Sequence, residues 1–438
     1  MMKKNNYYII LVLALLVTFS SCSDYTDGIN DSPNAFSSAP GDLLIGQTNL
    51  TVVKLFSSQN SRLSGMWTDQ FTGEDRQYIP LNNYVVTAGD FSDDWGDFYK
   101  NGIAQAKLAE ESAIEDGNLV LQGVAQILQG LLLAEVATSW GDAPWTEALD
   151  KDNFPNPKYD SQASLFEAAQ GLLSAGITNV GDVSVAAAYS EPYKSSATWA
   201  EIAHSIKARY YLAAKDYTNA LTESQMGISS RSGDLMSAHR DESGARNMYY
   251  QFTEEQRGGY LGATGSHLLN LVTGVTARVL NTPGDTNRAT VYFNGNALNT
   301  TEGGFFAVNA GFPIVSYFET KLIEAEAAQR TGGDALTPFN MVRDELALAY
   351  GGSFPHSASA GAALLNEILE EKYVTLIGAT QVFHDIRRTN NLIGVPVKNN
   401  AAGNTTIPQR YLYPQSEISA NSNFPGLVDL YVATPVNQ

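Results

Sequence analysis

From residue 42 to residue 388, apolar side chains recur three and four positions apart, and Asp, Ser or Asn stands where most runs begin. The spacing predicts helices over 42–56, 58–71, 92–115, 118–140, 161–179 and 197–214. It predicts further helices over 217–229, 313–330, 334–350, 360–376 and 380–388. In 118–140 the residues Val120, Val124, Ile127, Leu128, Leu131 and Leu132 leave little polar surface, so this helix is expected to lie nearly buried. Strands do not alternate with helices in the way a parallel sheet requires, and the expected fold is mainly α. Residues 230–312 break the pattern. They are rich in Gly, Asn, Thr and aromatics, show little helical period, and are too long for a simple connection. Irregular structure or small β elements are expected there.

Two stretches resemble one another. One runs Trp199-x3-Ala203-x3-Lys207-Ala208-Arg209-Tyr210-Tyr211-Leu212 and continues through Asp216-Tyr217-x2-Ala220-Leu221. The other runs Glu319-x2-Leu322-x-Glu324-Ala325-Glu326-Ala327-x2-Arg330 and continues through Gly333-x-Ala335-Leu336. Each reads as helix, turn, helix with small residues at the points of close packing. That is a tetratricopeptide-like pattern, in which helix pairs stack side by side. The expected architecture is therefore a helical-repeat scaffold with irregular loop insertions, and such insertions are where binding residues usually sit.

The N-terminus changes the picture. Lys3 and Lys4 precede an uncharged run over 7–19, which is shorter than the about 20 apolar residues a membrane span needs. It fits the apolar core of a secretory leader. Ser20 and Ser21 follow, then Cys22, the only cysteine. In that place the cysteine looks like the acylated residue of a bacterial lipobox, with Phe19 where Leu is usual. The expected division is a leader over 1–21, a polar tether over 22–41, and one folded domain over 42–438 with its insertion near 230–312. Asp24, Asp27, Asn30 and Asp31 in the tether lack the alternate spacing of a calcium-binding EF-hand loop.

Charge and chemistry narrow the function. The 438 residues carry a net charge of −19 from 46 acidic and 27 basic side chains, which argues against a nucleic-acid surface. The single cysteine excludes an intramolecular disulfide framework and any multi-cysteine metal site. No GxSxG, HExxH or GxxxxGK[ST] motif is present, and the histidines His204, His239, His267, His356 and His384 are scattered. Catalysis, metal and cofactor all lack support in the sequence.

A family resemblance then emerges from an ordered set of elements. Asp31-Ser32-Pro33-Asn34 is similar to an Asp-Pro-Asn stretch, and Trp140-Gly141-Asp142-Ala143-Pro144-Trp145-Thr146-Glu147-Ala148 to a Gly-Asp-Val-Pro-Tyr-Thr-Glu-Ala element. Residues 199–212 resemble an Ala-Arg-Tyr helix. Residues 313–330 resemble a Tyr-Ala-Glu helix, with Phe318 and Glu324 where Ala is usual. Glu371-Lys372-Tyr373 and Phe383-His384-Asp385-Ile386-Arg387-Arg388-Thr389 match the ending. Together with Cys22 these resemble the SusD/RagB outer-membrane lipoproteins of Bacteroidota, in their second SusD-like subfamily. The resemblance implies a non-catalytic, lipid-anchored protein on the outer membrane, facing the cell exterior. Such a protein captures oligosaccharides, or in some branches peptides, and passes them to a SusC-type TonB-dependent transporter. The remaining alternative is a surface glycoside hydrolase.

Sugar recognition needs an aromatic ring to stack on the apolar face of a pyranose, and Asp, Asn or Arg for its hydroxyls. Two segments read as loops have that mix, 69–84 and 287–296, and the resemblance places ligand contacts in both regions. The expected binding residues are Arg76, Tyr78, Asn82 and Tyr84 from the first, with Tyr292, Phe293 and Asn294 from the second. Trp67, Trp95 and Trp145 are read as packing residues, and Arg387 and Arg388 as partners of acidic groups near the C-terminus.

Overall fold

The computed structural model describes residues 39–398 and 403–438, so the leader, Cys22 and residues 22–38 of the tether lie outside the described residues. The chain opens with α1 (Gly41–Ser57), α2 (Gln59–Trp67), α3 (Tyr78–Asn82) and α4 (Ser92–Gly96). The scaffold continues through α5 (Ala104–Asp116), α6 (Leu119–Trp140), α7 (Gln162–Val180), α8 (Trp199–Ala213) and α9 (Tyr217–Ser224). Within 230–312 lie α10 (Met248–Tyr250), α11 (His267–Val272) and α12 (Asp285–Tyr292). The later helices are α13 (Tyr317–Thr331), α14 (Leu336–Tyr350), α15 (Gly361–Thr375), α16 (Thr380–Arg388) and α17 (Gln415–Ala420). The fold is mainly α.

Side-chain caps set several of these boundaries. Asn118 accepts the Leu121 N–H at 3.1 Å and starts α6, while Thr198 and Glu201 close a reciprocal capping box at the head of α8. Ser316 accepts from Glu319 N–H at 3.1 Å to start α13. Helices that follow in sequence pack side by side, α6 on α7, α7 on α8 and α8 on α9, and α9 packs on α13 from beyond the 230–312 segment. Contact between α6 and α7 is closest at Gly123 and Gly176. A Cβ built on either would stand 2.8 Å from the other's carbonyl oxygen, so only glycine fits at this crossing. Helix α6 is long and apolar enough to cross a bilayer by composition, yet it is buried within the core as expected.

Four boundaries depart from the periodicity. The run at 58–71 ends at Trp67, and the run at 217–229 ends at Ser224. Residues 92–115 contain a π-helical turn over Asp97–Ile103 between α4 and α5. The helix expected from Pro313 begins at Tyr317, because Phe312–Val315 is strand β7. Pro313 disfavours a helical Phe312, and β-branched Ile314 and Val315 suit a strand.

Strands are few and short. β1 (Thr72–Gly73) pairs with β4 (Leu261–Gly262), and β5 (Phe293–Asn294) with β6 (Ala297–Leu298), both antiparallel. β2 (Tyr193–Lys194), β3 (Leu235–Ser237) and β7 form a three-stranded antiparallel sheet in that order. The pairing ties 230–312 to the scaffold at both of its ends. A buried ion cluster adds a second tie. Glu371 of α15 accepts from Arg288 at 2.8 Å, from Arg278 at 3.0 Å, and from Arg343 of α14. Arg278 also bonds Glu370 at 2.7 Å and Asp285. Burial works against the Glu371 carboxylate, but the three guanidinium groups hold it well below the usual carboxylate range.

Candidate binding cleft

The expected binding residues are not gathered into one site. Arg76 is exposed and faces Asp75 at 3.7 Å. Tyr78 is buried: its ring stacks on Phe252 at 4.9 Å, and its hydroxyl accepts from Arg62 Nε at 2.9 Å. Asn82 is buried too, its Oδ1 accepting from Gly73 N–H at 3.0 Å and from Lys398 Nζ at 2.6 Å. Tyr292 is fully covered beneath Phe305 and Tyr350. Phe293 is buried and contributes to the floor of a shallow 340 Å³ groove with Ala289, Thr290 and Gly295. Asn294 is exposed on β5.

Tyr78, Tyr292 and Phe293 were expected to offer stacking faces, and the structure uses those faces for packing. The reason is local. Segments read as loops are here short helices, α3 and α12, whose apolar side must be covered by the neighbouring chain. Trp67 and Trp95 are buried as expected, while Trp145 is partly covered and packs against the core. Arg388 pairs with Glu326 at 2.7 Å and with Asp385 at 2.6 Å. Arg387 instead donates to the carbonyls of Gln409 at 2.8 Å and Thr138 at 3.1 Å, so it staples the C-terminal segment rather than pairing with an acid.

Tyr84 is the one expected residue that borders a cleft of about 860 Å³. One wall is Tyr84, Val85, Val86 and Ala88; the other is the C-terminal segment from Leu412 to Tyr431. Tyr84 sits at φ 64°, the left-handed region that non-glycine residues seldom occupy. Its hydroxyl accepts the Lys398 N–H at 2.9 Å, which helps to hold the ring inward while Val85 turns out to solvent. Thr87 then closes a capping box with Asp90, its N–H bonding Asp90 Oδ2 at 2.7 Å.

The opposite wall is hung on the Trp140–Ala148 element. Trp140 Nε1 donates to the Leu412 carbonyl at 2.9 Å, Tyr411 N–H donates to Ser139 O at 2.9 Å, and Tyr413 OH donates to Asp142 O at 2.7 Å. Asp142 and Asp160 accept backbone N–H groups at Gln162, Trp145 and Thr146 and fix that turn. Tyr413, Phe424 and Tyr159 then meet edge to face, 5.4–6.2 Å apart.

Between these walls the lining is mostly aliphatic and aromatic. Leu427 is 80% exposed and Val85 58% exposed, and both lie on the cleft lining. Polar groups come from Gln415, Asp429 and Tyr431. Burial pushes the phenols of Tyr84, Tyr413 and Tyr431 up, so they remain neutral hydroxyls that can donate and accept. Among the described residues lining the cleft, Asp429 is the one carboxylate. Such a surface can cover an apolar face and bond a few hydroxyls or amides along its rim.

No periodic pattern in the amino-acid order marks this wall. Residues 403–438 lack helical period, although Tyr411, Tyr413, Phe424 and Tyr431 recur there among prolines, a composition that could have marked it. Among the described residues no group of three or more His, Cys, Asp or Glu is arranged to hold a metal.

Comparison with known proteins follows the fold. A family model named SusD-like_2, described as starch-binding associating with outer membrane, matches residues 33–257. No curated protein matches the chain. A crystal structure of a SusD/RagB family protein from Bacteroides thetaiotaomicron is similar at a TM-score of 0.66 and 20% identity, covering 88% of this chain and 95% of that one. A SusD homolog from Bacteroides fragilis gives 0.66 and 16%, over 92% and 100%. A chitin-binding SusD homolog from Flavobacterium johnsoniae gives 0.64 and 14%, over 91% and 98%.

Proposed function

The chain belongs to the SusD-like_2 family, and from that premise we propose that it is a non-catalytic glycan-binding lipoprotein of the outer membrane. It is anchored through Cys22 after removal of 1–21, faces the cell exterior, and delivers oligosaccharide to a SusC-type TonB-dependent transporter. The observation that carries the binding role is the cleft between Tyr84–Ala88 and Leu412–Tyr431. Its exposed apolar lip and aromatic edge suit the C–H face of a sugar, and Gln415, Asp429 and Tyr431 suit its hydroxyls. Hydrolysis of a glycoside uses two carboxyl groups flanking the bond, and this lining offers Asp429 alone among the described residues. The helical scaffold would then be the face presented to the transporter.

The aliphatic lip at Val85, Ile418 and Leu427 favours a second reading, the same delivery role for peptides. Calorimetric titration of the purified full chain with maltohexaose and chitohexaose separates these, with product analysis on the same samples. Saccharide binding without cleavage is expected. Cleavage would overturn the non-catalytic role. Silence with both sugars, together with binding of an apolar peptide, would install the second reading.

A further inference from the structure

A second cavity, of about 230 Å³, lies between α1, α2, α4 with its π-helical extension, and the turn that carries Met248, Gln251 and Gln256. Its chemistry is the reverse of the cleft. Lys54, Ser58, Gln59, Arg62, Asp93, Asp94 and Asp97 face it. Lys54 and Asp97 form an ion pair at 2.5 Å, and Asn101 donates to the other Asp97 oxygen at 2.7 Å.

Arg62 and Asp94 are different. Arg62 is 7% exposed, its Nε is spent on the Tyr78 hydroxyl at 2.9 Å, and its guanidinium lies 4.1 Å from the Phe252 ring centre. That geometry fixes the plane of the group. Among the described residues no acceptor meets its two terminal nitrogens. Asp94 is 6% exposed, and among the described residues no donor meets its carboxylate. Both groups keep bonding capacity open toward the cavity. Here two of opposite sign line one small space and leave each other unsatisfied by direct bonds. Burial and the neighbouring Asp97 charge push Asp94 up to about 7, against the pull of Lys54 and Arg62.

We propose that this cavity is a second binding site, which takes a single sugar unit by adjacent hydroxyls, one accepting from Arg62 and the next donating to Asp94. The choice of a neutral polyol follows from the charges. An anion would meet Asp93, Asp94 and Asp97, and a cation would meet Arg62 and Lys54, whereas a diol offers an acceptor and a donor side by side. Gln59 and Ser58 extend the same kind of contact. The size admits one ring and not a chain, so the site reads a terminal unit while the cleft covers a longer stretch. That ligand class rests on the saccharide reading of the protein.

The test follows the Arg62 Nε–H and the Asp94 carboxyl carbon by NMR in the full chain, with Tyr431 as the reporter of the cleft. The probes are methyl α-glucoside and N-acetylglucosamine, then maltohexaose and chitohexaose. Shifts at Arg62 and Asp94 with at least one monosaccharide are expected, and Asp94→Asn should weaken that binding about tenfold or more while the chain stays folded. Gln59→Ala should weaken it less. Movement of Tyr431 alone with the oligosaccharides would overturn the second site and leave the cleft standing. Movement of Arg62 and Asp94 with Tyr431 silent would keep the second site and overturn the cleft. No movement at Arg62 and Asp94 with any of the four probes overturns this proposal whatever the cleft does.

Discussion

The inserted segment 230–312 meets the helical scaffold through two sets of buried charges, and they are built on opposite plans. Around Glu371 the carboxylates of Glu370, Glu371 and Asp285 are matched by Arg278, Arg288 and Arg343. Arg62 and Asp94 face an open cavity and bond nothing of opposite sign directly. In the first set the charges pair with one another inside the fold, although Arg288 Nε and Nη2 and Asp285 Oδ1 find no hydrogen bond there. In the second, Arg62 and Asp94 keep bonding capacity open to the cavity. Paired burial holds a segment in place, whereas unpaired burial destabilises the empty protein and is relieved when a ligand arrives.

The largest expected effect breaks the closed set. Glu371→Gln removes the charge that three arginines share and should lower stability by about 3–5 kcal/mol, read as a fall in the denaturation midpoint. Acid should act in the same direction. Glu326 is held down to about 2, mainly by Arg388 against the cost of burial. Its folded value lies below the unfolded one, so its contribution is present above the ordinary carboxylate range and is lost as pH falls toward 2.

Asp94→Asn should do the opposite. Its folded value of about 7 lies above the unfolded one, so the ionised form is penalised in the fold. The penalty grows as pH rises from about 4 to about 7, and the variant should gain on the order of 2 kcal/mol at pH 8 with little change at pH 4. Thermal melts at the two pH values check this. A loss of stability at pH 8 would show that Asp94 is already satisfied and would erase the contrast between the two sets.

Next in size, Tyr431→Ala should weaken oligosaccharide binding about tenfold with the melt unchanged, because the ring edges the cleft without closing the core. Smallest of all, Arg76→Ala and Asn294→Ala should leave both affinity and stability as they are. Both side chains are exposed and away from the cleft lining. A tenfold loss from either would return the site to the loops that the sequence favours.

These contrasts show what the amino-acid order displays. Helices at 118–140, 334–350 and 380–388 are legible within two residues of their observed ends, since each buries one regular stripe or more of its surface. Trp67 and Trp95 are legible as core for the same reason. Tyr78 and Tyr292 mislead because α3 is five residues long and α12 eight, too short to show a period above their Asn- and Thr-rich surroundings. The cleft depends on a pairing across the chain, Tyr84–Ala88 against Leu412–Tyr431, which no local pattern encodes. The Arg62 and Asp94 cavity is hidden in a similar way, for both residues sit in ordinary helical sequence and acquire meaning only when the 248–256 turn closes over them.

The most direct test of the central claim is a crystal structure of the full chain grown with whichever of maltohexaose or chitohexaose binds more tightly. The account predicts sugar density between Val85, Phe424, Leu427 and Tyr431, with the chain uncut. Density confined to the groove at Phe293, or a cleaved ligand, would contradict it.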